Sequence, residues 1–422
     1  MSKTTEQVRK TLARRYRAEK RFRAMGMASV LFGLMAVVVL FTDIIGKGHS
    51  AFVETYIQLE IRWDQDELYI DDPTDPDELA YADYDALIKN ALRERFPSVE
   101  GRLEKRNLYK LVSSGAGYTL RDRLAENPQL LGTTETLWLL ADDDVDRYLK
   151  LGQEAQESAR LPEQARAWVD ELVQEGSTDT RWNASFFTHG DSREPEQAGV
   201  WGAVAGSFFT MLVTLALAFP IGVAAAIYLE EFAPKNRFTD FIEVNINNLA
   251  AVPSIIFGLL GLAIFINLFG MPRSVPVVGG LVLTLMTLPT IIISARASIK
   301  SVPPSIREAA LGLGASRMQV VMHHVLPLAL PGMLTGAIIG MAQALGETAP
   351  LLMIGMVAFI VDIPGGPLSP ATVLPVQIYL WADSPEASFV SMTSAAIMVL
   401  LGFLIMMNTL AVVLRKRLER RW

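Results

Sequence analysis

The sequence predicts an all-α membrane protein of six transmembrane helices, with a small α+β extracytoplasmic insert between the first and second helix. The 422 residues are 51% hydrophobic and yet 20% charged, so the two kinds of residue must be segregated along the chain. The hydrophobic residues concentrate in six runs of about the length that crosses a bilayer. The charged residues concentrate between the first two runs and at the two ends. A single small soluble domain is therefore excluded.

The two ends of the chain are basic. Residues 1–24 carry nine Lys and Arg against two acids, and residues 415–422 carry five against one. A basic N-terminus could bind nucleic acid, but the apolar run 25–45 follows it directly, which favours positive-inside anchoring. No small-residue cleavage site follows that run, and it is longer than a signal-peptide core. We expect a retained transmembrane helix at 25–45, cytoplasmic basic ends and no nucleic-acid partner.

Residues 47–199 are predicted to form the insert. Apolar and polar residues alternate over 57–63, which predicts a half-buried strand, and a second strand is expected around Leu68 and Ile70. A helical face at 84–92 and another after Pro162 predict two helices.

The insert is also strongly acidic, with 17 basic and 32 acidic residues. We interpret this excess as a solvated surface rather than a ligand site. The chain has no cysteine, and its His323-His324 pair lacks nearby ligands at metal spacing. The sequence therefore predicts no metal site and no disulfide.

The five other apolar runs lie in the second half of the chain, at about 200–229, 246–269, 277–296, 328–357 and 388–414. Basic residues fall in the connections 230–243 and 297–327. Of the other two connections, the one between the third and fourth runs carries only Arg273, and 358–387 carries no basic residue. This alternation predicts a multi-pass protein with both termini cytoplasmic and the insert outside.

The connection 303–327 carries the most specific motif. Two prolines interrupt the preceding helix, and a short helix interrupted by small residues is expected from Arg307 to Arg317. Gly312 and Gly314 would each cost about 1 kcal/mol in a helix interior relative to Ala. Their presence indicates a turn or a close contact with another surface.

The spacing in this connection resembles the EAA loop of ABC importer permeases. That pattern is Glu-Ala-Ala, three residues, Gly, nine residues, Ile, one residue and Leu-Pro. The matching positions are Glu308, Ala309, Ala310, Gly314, Leu326 and Pro327. Only the Ile position departs, being His324. The resemblance implies ATPase-coupling helices seated in a cleft of an ATPase subunit; the alternative is an amphipathic connector without a partner.

Three further segments, 227–231, 249–258 and 344–352, resemble signatures of the PstA-type phosphate permeases. The resemblance covers about 199–414 and implies a permease domain at 200–414 that carries inorganic phosphate across the bacterial inner membrane. It also matches a variant of that family with an extra N-terminal extracytoplasmic domain of unassigned function, here 47–199.

The resemblance also implies partners. These are a second homologous permease subunit, two copies of an ABC ATPase and a periplasmic phosphate-binding protein. ATP and Mg²⁺ would be bound by the ATPase, with no cofactor and no catalytic residue in this chain. The chain has no Gly-x4-Gly-Lys-Ser/Thr sequence, so we do not expect it to hydrolyse ATP.

Glu347 is the most informative candidate for the translocation path. An ionisable group in an apolar run is costly and is expected to face a partner, a cavity or the path, or else to lie at a helix end near water. Many PstA-type subunits have Arg where this chain has Gln343, one helical turn earlier and on the same helix face. Arg296 could replace that charge or could be a positive-inside anchor. Thr348 and Ser254 complete the candidates.

Three other functions stay open on the sequence alone. The same permease fold could import another oxyanion or a metal. A membrane-anchored ligand sensor would have fewer spans and a cytoplasmic output domain. A membrane enzyme would need a nucleophile, a base or a metal cluster, and none is recognisable.

Overall fold

The computed structural model describes residues 3–70, 75–151, 161–356 and 359–418. Small parts of the predicted regions 1–24, 47–199, 328–357 and 415–422 therefore lie outside the described residues. The chain forms a bundle of long apolar helices that carries the insert at one end.

Helix α1 spans Lys3–Gly48 and includes the predicted transmembrane run. It continues on both sides of 25–45 because neither flank contains a proline before the insert begins. A short 3₁₀ turn, His49–Phe52, then leads into the first strand of the insert.

The insert is built on a three-stranded antiparallel sheet. Its strands are β1 (Val53–Arg62), β2 (Thr134–Leu140) and β3 (Thr178–Trp182). The order is β2-β1-β3, with Ile57 of β1 opposite Leu139 on one side and Thr178 on the other. The apolar residues predicted to alternate over 57–63 are buried, because the insert's helices pack on them: Ile57, Leu59, Ile61 and Trp63.

Eight helices belong to the insert among the described residues. They are α2 (Gln65–Leu68), α3 (Pro76–Tyr81), α4 (Tyr84–Arg95), α5 (Arg102–Tyr109), α6 (Ala116–Glu126), α7 (Asp143–Leu151), α8 (Glu163–Gln174) and α9 (Ser185–Thr188). Helices α4 and α8 confirm the two helices predicted from periodicity.

The second strand predicted around Leu68 and Ile70 is wrong. Asp64 instead caps α2, accepting a hydrogen bond from Asp66 N at 3.1 Å, and Tyr69 ends that helix with φ 55°. Leu68 and Ile70 are buried, as their apolar character suggests, but they pack from a helical turn. The actual partners of β1 come from far along the chain, where local patterns could not place them.

The second half of the chain is helical. Its helices are α10 (Trp201–Ile227), α11 (Arg237–Leu249), α12 (Ser254–Gly261), α13 (Pro276–Lys300), α14 (Pro304–Gly312), α15 (Arg317–Val320), α16 (Leu326–Leu345), α17 (Ala349–Met353), α18 (Leu374–Ala382) and α19 (Phe389–Leu418). Three π-helical segments extend α10 and α12 or join α15 to α16: Tyr228–Phe232, Leu262–Leu268 and Val321–Val325.

Among the residues that the structure describes, five helices are long and apolar enough to cross a membrane: α1, α10, α13, the continuous α15–α16 helix and α19. The pair α11 and α12, bent by 102°, raises this number to six if the pair counts as one span. The predicted membrane fold class is confirmed, with five or six candidate spans.

Two predicted spans are not single helices. The run 246–269 breaks between Leu249 and Ser254, because Pro253 lacks an N–H and biases the residue before it away from the helix. The run 328–357 stops at Leu345, and α17 begins only after Gly346-Glu347-Thr348. Both breaks lie in the segments that resemble phosphate permeases.

Small residues let the central helices approach closely, as expected for membrane helix packing. A Cβ on Gly222 of α10 would come within 2.6 Å of Ile291 Cγ2 on α13. A Cβ on Gly336 of α16 would overlap the Ser294 side chain of α13. Helix α13 therefore lies between α10 and α16 at the centre of the bundle.

The insert and the 303–327 connection lie at opposite ends of α10. At its first residue, Trp201 N donates to His189 O of the insert at 3.1 Å. Beyond its last residues, Glu231 accepts hydrogen bonds from Arg307 of α14. A helix of 27 residues thus separates the insert from the connection 303–327, which we call the coupling segment.

Candidate functional site

The predicted coupling segment folds as one short helix and a tight turn. Helix α14 starts at Pro304, where a missing N–H costs nothing, and ends at Gly312. Gly314 has φ +88°, and its N–H donates to Leu311 O at 2.9 Å while Ala315 N donates to Ala310 O at 3.1 Å. These are the two bonds of a Schellman motif, which favours glycine at this position.

The helix predicted from Arg307 to Arg317 is therefore wrong in its second half. Ser316 caps a new helix through a capping box with Gln319, and Arg317 is its first residue. A π-helical segment joins this helix to α16, whose first two residues are Leu326 and Pro327.

The coupling segment presents an exposed apolar surface. Glu308 and Ala309 are exposed, whereas Ala310 is buried against the bundle. Four large apolar side chains around them are open, with Leu313 90% exposed: Leu311, Leu313, Met318 and Met322. Exposed apolar clusters of this kind mark interaction surfaces.

Arg307 fixes α14 to the rest of the bundle. Its guanidinium donates two hydrogen bonds to Glu231 Oε1, at 2.9 and 3.1 Å. It also donates to the carbonyls of Ile299 and Val302 at 2.8 and 2.6 Å, at the C-terminal end of α13. One side chain thus joins α14, α13 and the π-helical end of α10; we call these four hydrogen bonds the Arg307 clamp.

Arg296 lies about one helical turn before Ile299 in α13, and its guanidinium is paired with carboxylates. It contacts Glu230 at 2.5 Å and Glu243 at 2.6 Å, and its side chain is only 10% exposed. Lys300 adds a second cation beside Glu230, at 3.3 Å. The expectation that Arg296 could neutralise Glu347 is wrong, because two other carboxylates already bind it.

The two broken helices meet. A Cβ on Gly258 of α12 would come within 2.7 Å of Pro350 Cα on α17, so the backbones are in direct contact. Ser254 is the first residue of α12, and Thr348 immediately precedes α17; both are partly buried. The structure therefore brings the segments 249–258 and 344–352 together at their breaks.

Glu347 lies in the break and is partly buried. Gln343 is exposed and belongs to the last turn of α16, so the shared helix face expected for the pair does not exist beyond Leu345. Glu347 has no ion pair among the residues that the structure describes.

At the other end of α10, a cleft of about 750 Å³ lies between the insert and the loop around Asp362. Its walls include acidic side chains from both sides: Asp122, Glu126 and Asp191 from the insert and Asp362 from the loop. Burial raises the pKa of Asp191, against the opposing effect of the hydrogen bond from Trp381.

Sequence reasoning did not find the Arg307 clamp or the Arg296 ion pairs. The residues themselves were visible, since Glu230 and Glu231 belong to one signature segment and Arg307 precedes Glu308. Their pairing depends on how α10 and α13 pack, over separations of 66 and 76 residues, which no local pattern encodes.

Comparison with known protein families matches two parts of the chain. Residues 218–422 match the family described as the binding-protein-dependent transport system inner membrane component. Residues 9–159 match a domain of unknown function, DUF3333. The second match ends before β3, so the folded insert extends beyond it.

Three curated relatives show how far the similarity reaches. The probable ABC transporter permease protein YqgI of Bacillus subtilis is 36% identical over 40% of this chain, a match that spans 56% of YqgI. The phosphate transport system permease protein PstA of Mycobacterium leprae is 34% identical over 48% of this chain and 67% of its own length. PstA of Haemophilus influenzae is 30% identical over 53% of this chain and 78% of its own length.

The spacing in the coupling segment, the helical bundle and these similarities all indicate the same family. The chain belongs to the family of binding-protein-dependent transport system inner membrane components, the permease subunits of ABC importers.

Proposed function

We propose that this chain is the PstA-type permease subunit of an importer of inorganic phosphate. The observation that carries the proposal is the similarity to PstA proteins over two thirds or more of their length. The broken helices α12 and α17 add support, because the segments that resemble phosphate permeases are the ones that meet in the bundle.

In this proposal the coupling segment docks on an ABC ATPase. Glu308 and Ala309 face solvent beside Leu313, so an ATPase cleft could bury a polar and an apolar contact together. The Arg307 clamp would pass movement of α14 directly to α13 and α10. ATP and Mg²⁺ would bind to the ATPase, two copies of which would serve the assembly.

The translocation path would run beside the breaks of α12 and α17. Phosphate needs donors, and a broken membrane helix supplies free N–H groups and hydroxyls without a buried cation. Ser254 and Thr348 are the hydroxyl candidates, with Gln343 as an amide donor and Glu347 as a gating carboxylate. We place Arg296 outside the path because Glu230 and Glu243 neutralise it.

The topology of the proposal follows the charge pattern. Both termini and the coupling segment would face the cytoplasm of a bacterium, and the insert 47–199 would face the periplasm. A second, homologous permease chain would complete the pathway, and a periplasmic phosphate-binding protein would dock on the side of the insert.

The test is uptake of labelled phosphate by proteoliposomes that contain the assembled importer, its binding protein and internal ATP. We expect ATP-dependent uptake that unlabelled phosphate abolishes and that excess sulfate or molybdate leaves unchanged. Uptake that sulfate or molybdate abolishes, or that fails with phosphate while another oxyanion or a metal ion accumulates, would contradict phosphate as the substrate.

A further inference from the structure

A basic cavity lies where the insert meets the ends of two membrane spans. Its volume is about 190 Å³, and its walls come from the end of α1, from helix α7 of the insert and from the start of α19. We call it the junction cavity. Its charged lining consists of three cations and one acid: Lys47, Arg147, Lys150 and Asp146. The region 47–199 carries 17 basic and 32 acidic residues, so a mainly basic lining is an exception within it.

Arg147 is the cation of this cavity that lacks a counter-ion. Its side chain is partly buried, and it forms no ion pair or hydrogen bond within the part of the chain that the structure describes. Asp143, one helical turn earlier in α7, does not pair with it either. A guanidinium has five N–H donors and no acceptor. A partly buried charge of this kind is unfavourable alone, so the cavity favours an anion beside it.

Lys150 is held beside the cavity and still has a donor to offer. Its ammonium pairs with Asp146 and donates to the carbonyl of Val53. An ammonium has three N–H donors, so these two bonds leave one. Asp146 also accepts from Thr55 N at 2.8 Å. The single carboxylate of the lining is therefore already bound by protein donors and serves to position Lys150.

Lys47 can turn towards a ligand with little loss. It pairs with Asp43, one turn earlier in α1, at 2.8 Å, and both side chains are more than half exposed. Exposed ion pairs of this kind contribute little to stability. An anion in the junction cavity can therefore recruit the Lys47 ammonium.

The first turn of α19 forms a further part of the wall. Ser388, Val390 and Ser391 line the cavity there, and the helix continues for 30 residues from Phe389. The N-terminal end of a long helix carries a partial positive charge. This charge adds to the potential that the three cationic side chains create.

We propose that the junction cavity binds one phosphate group, with Arg147 as the main contact and Lys47 and Lys150 as supporting cations. Arginine binds phosphate oxygens through parallel N–H bonds, and lysine binds them as a point charge. A phosphate group has more acceptor oxygens than a carboxylate, so donors from several elements can reach it together. Because α1 ends and α19 begins at this level, the group belongs either to free inorganic phosphate or to a phospholipid headgroup.

The site is separate from the proposed translocation path. None of the described residues that line the cavity belongs to the segments 249–258 and 344–352. The proposal therefore does not require phosphate to be the transported substrate. A bound phosphate group would instead join the insert, through Arg147, to the two spans that flank the cavity.

The test measures how fast phenylglyoxal modifies Arg147 in the delipidated, purified full-length chain, with peptide mass spectrometry as the readout. In one arm, inorganic phosphate is added in detergent at constant ionic strength. In the other, nanodiscs of phosphatidylglycerol are compared with nanodiscs of digalactosyldiacylglycerol, a lipid without phosphate. Arg106 is the control within the same molecule, because it is exposed on α5 of the insert. Its modification rate should be the same in every condition.

Protection of Arg147 identifies the source of the phosphate group. Inorganic phosphate at about ten times its dissociation constant should slow the modification about tenfold if the ligand is free phosphate. Slowing in phosphatidylglycerol but not in the glycolipid assigns the site to a headgroup. Either result supports the site. A rate at Arg147 that neither inorganic phosphate nor phosphatidylglycerol changes would overturn the proposal.

A variant gives the second measurement, with radiolabelled phosphate or phosphatidylglycerol as the probe, whichever protects Arg147. We expect Arg147→Gln to lose one saturable site per chain and Arg147→Lys to keep it with weaker affinity, because lysine retains the charge but not the planar fork. Arg106→Gln is the matched control and should bind as the wild type does. Equal binding by Arg147→Gln and the wild type would place the bound probe elsewhere in the chain and refute the junction cavity as its site.

Discussion

At the scale of single residues, Gly314 determines how the coupling segment turns. Its φ of +88° lies in the left-handed region, and no atom would obstruct a Cβ there within 4 Å. Conformation, and not space within this chain, therefore limits what can replace it. Asn tolerates this region better than other residues and matches Asp in shape, which gives a pair of variants that differ mainly in charge.

We predict that Gly314→Asp uncouples ATP hydrolysis from transport, since a charge would enter the surface that we propose to dock on the ATPase. Gly314→Asn should retain most of the coupling. The measurement is substrate-stimulated ATP hydrolysis beside uptake in the reconstituted complex. Wild-type coupling in Gly314→Asp would refute the docking assignment, and equal losses in both variants would mean that backbone strain, not charge, is responsible.

Glu347 is the second residue whose role can be tested alone. Glu347→Gln keeps the shape and removes the charge, so we expect slower phosphate uptake at unchanged membrane abundance. Gln343→Arg should be tolerated, because its exposed side chain has room for a longer one and it supplies the cation that the resemblance to PstA-type permeases implies at this position. Full activity of Glu347→Gln together with an inactive Gln343→Arg would contradict this prediction. It would show that transport does not need the carboxylate at this break and does not tolerate a cation there.

Residue identity was easier to predict from the sequence than residue pairing. The glycine turn was anticipated, since two glycines in a short helix are costly and Gly314 does adopt a positive φ. The partners of Arg296 were not, because Glu230 and Glu243 reach it only through the packing of α10 and α11 against α13. Charge patterns along a chain do not contain that geometry.

At the scale of elements, the breaks in α11–α12 and α16–α17 matter most. Hydrophobicity runs through both, so apolar runs alone predicted continuous spans. The backbone signals were present in Pro253 and in Gly346 before Pro350, but each is also compatible with a kinked helix. The length and composition of the other spans were sufficient to predict them.

The Arg307 clamp leads to a prediction about force transmission. Arg307→Lys keeps the charge beside Glu231 but cannot reproduce the planar fork that also donates to Ile299 and Val302. Each lost bond to a charged group is worth about 1.5–3 kcal/mol. We expect transport to fall while basal ATP hydrolysis persists.

Arg317→Lys is the control for this experiment, because Arg317 is exposed at the start of α15. ATP-driven uptake relative to ATP hydrolysed is the readout for both variants. If Arg307→Lys transports as efficiently per ATP as Arg317→Lys, the clamp does not transmit the movement.

At the scale of the whole molecule, the insert is attached at two neighbouring points. Asn183 donates from its backbone to Phe52 O at 2.9 Å and from its side chain to Ala51 O at 3.1 Å. The chain therefore leaves and re-enters the permease at almost the same place. Residues 183–199 beyond that point pack on the permease through Phe186 and Asp191.

We predict that replacing 54–181 with a two-residue Asn-Gly turn leaves measurable phosphate uptake, because the segments with permease signatures are untouched. Removing the longer segment 50–195 should also leave uptake but lower membrane abundance, since it strips Phe186 and Asp191 from the permease. Uptake normalised to abundance is the measurement. A shorter deletion that assembles and yet transports nothing would make the insert part of the transport machinery.

The sheet order β2-β1-β3 has a consequence for biosynthesis. The central strand β1 is made immediately after α1, but its partner β3 is made about 120 residues later, just before α10. If synthesis proceeds into the membrane, β2 can pair with one edge of β1 first, but the other edge must wait unpaired until β3 is made just before the next span. Such a strand is prone to pair wrongly. The insert would then be completed at the same time as the second span is made. A pause in translation near 182 would therefore be tolerated far better than one near 140.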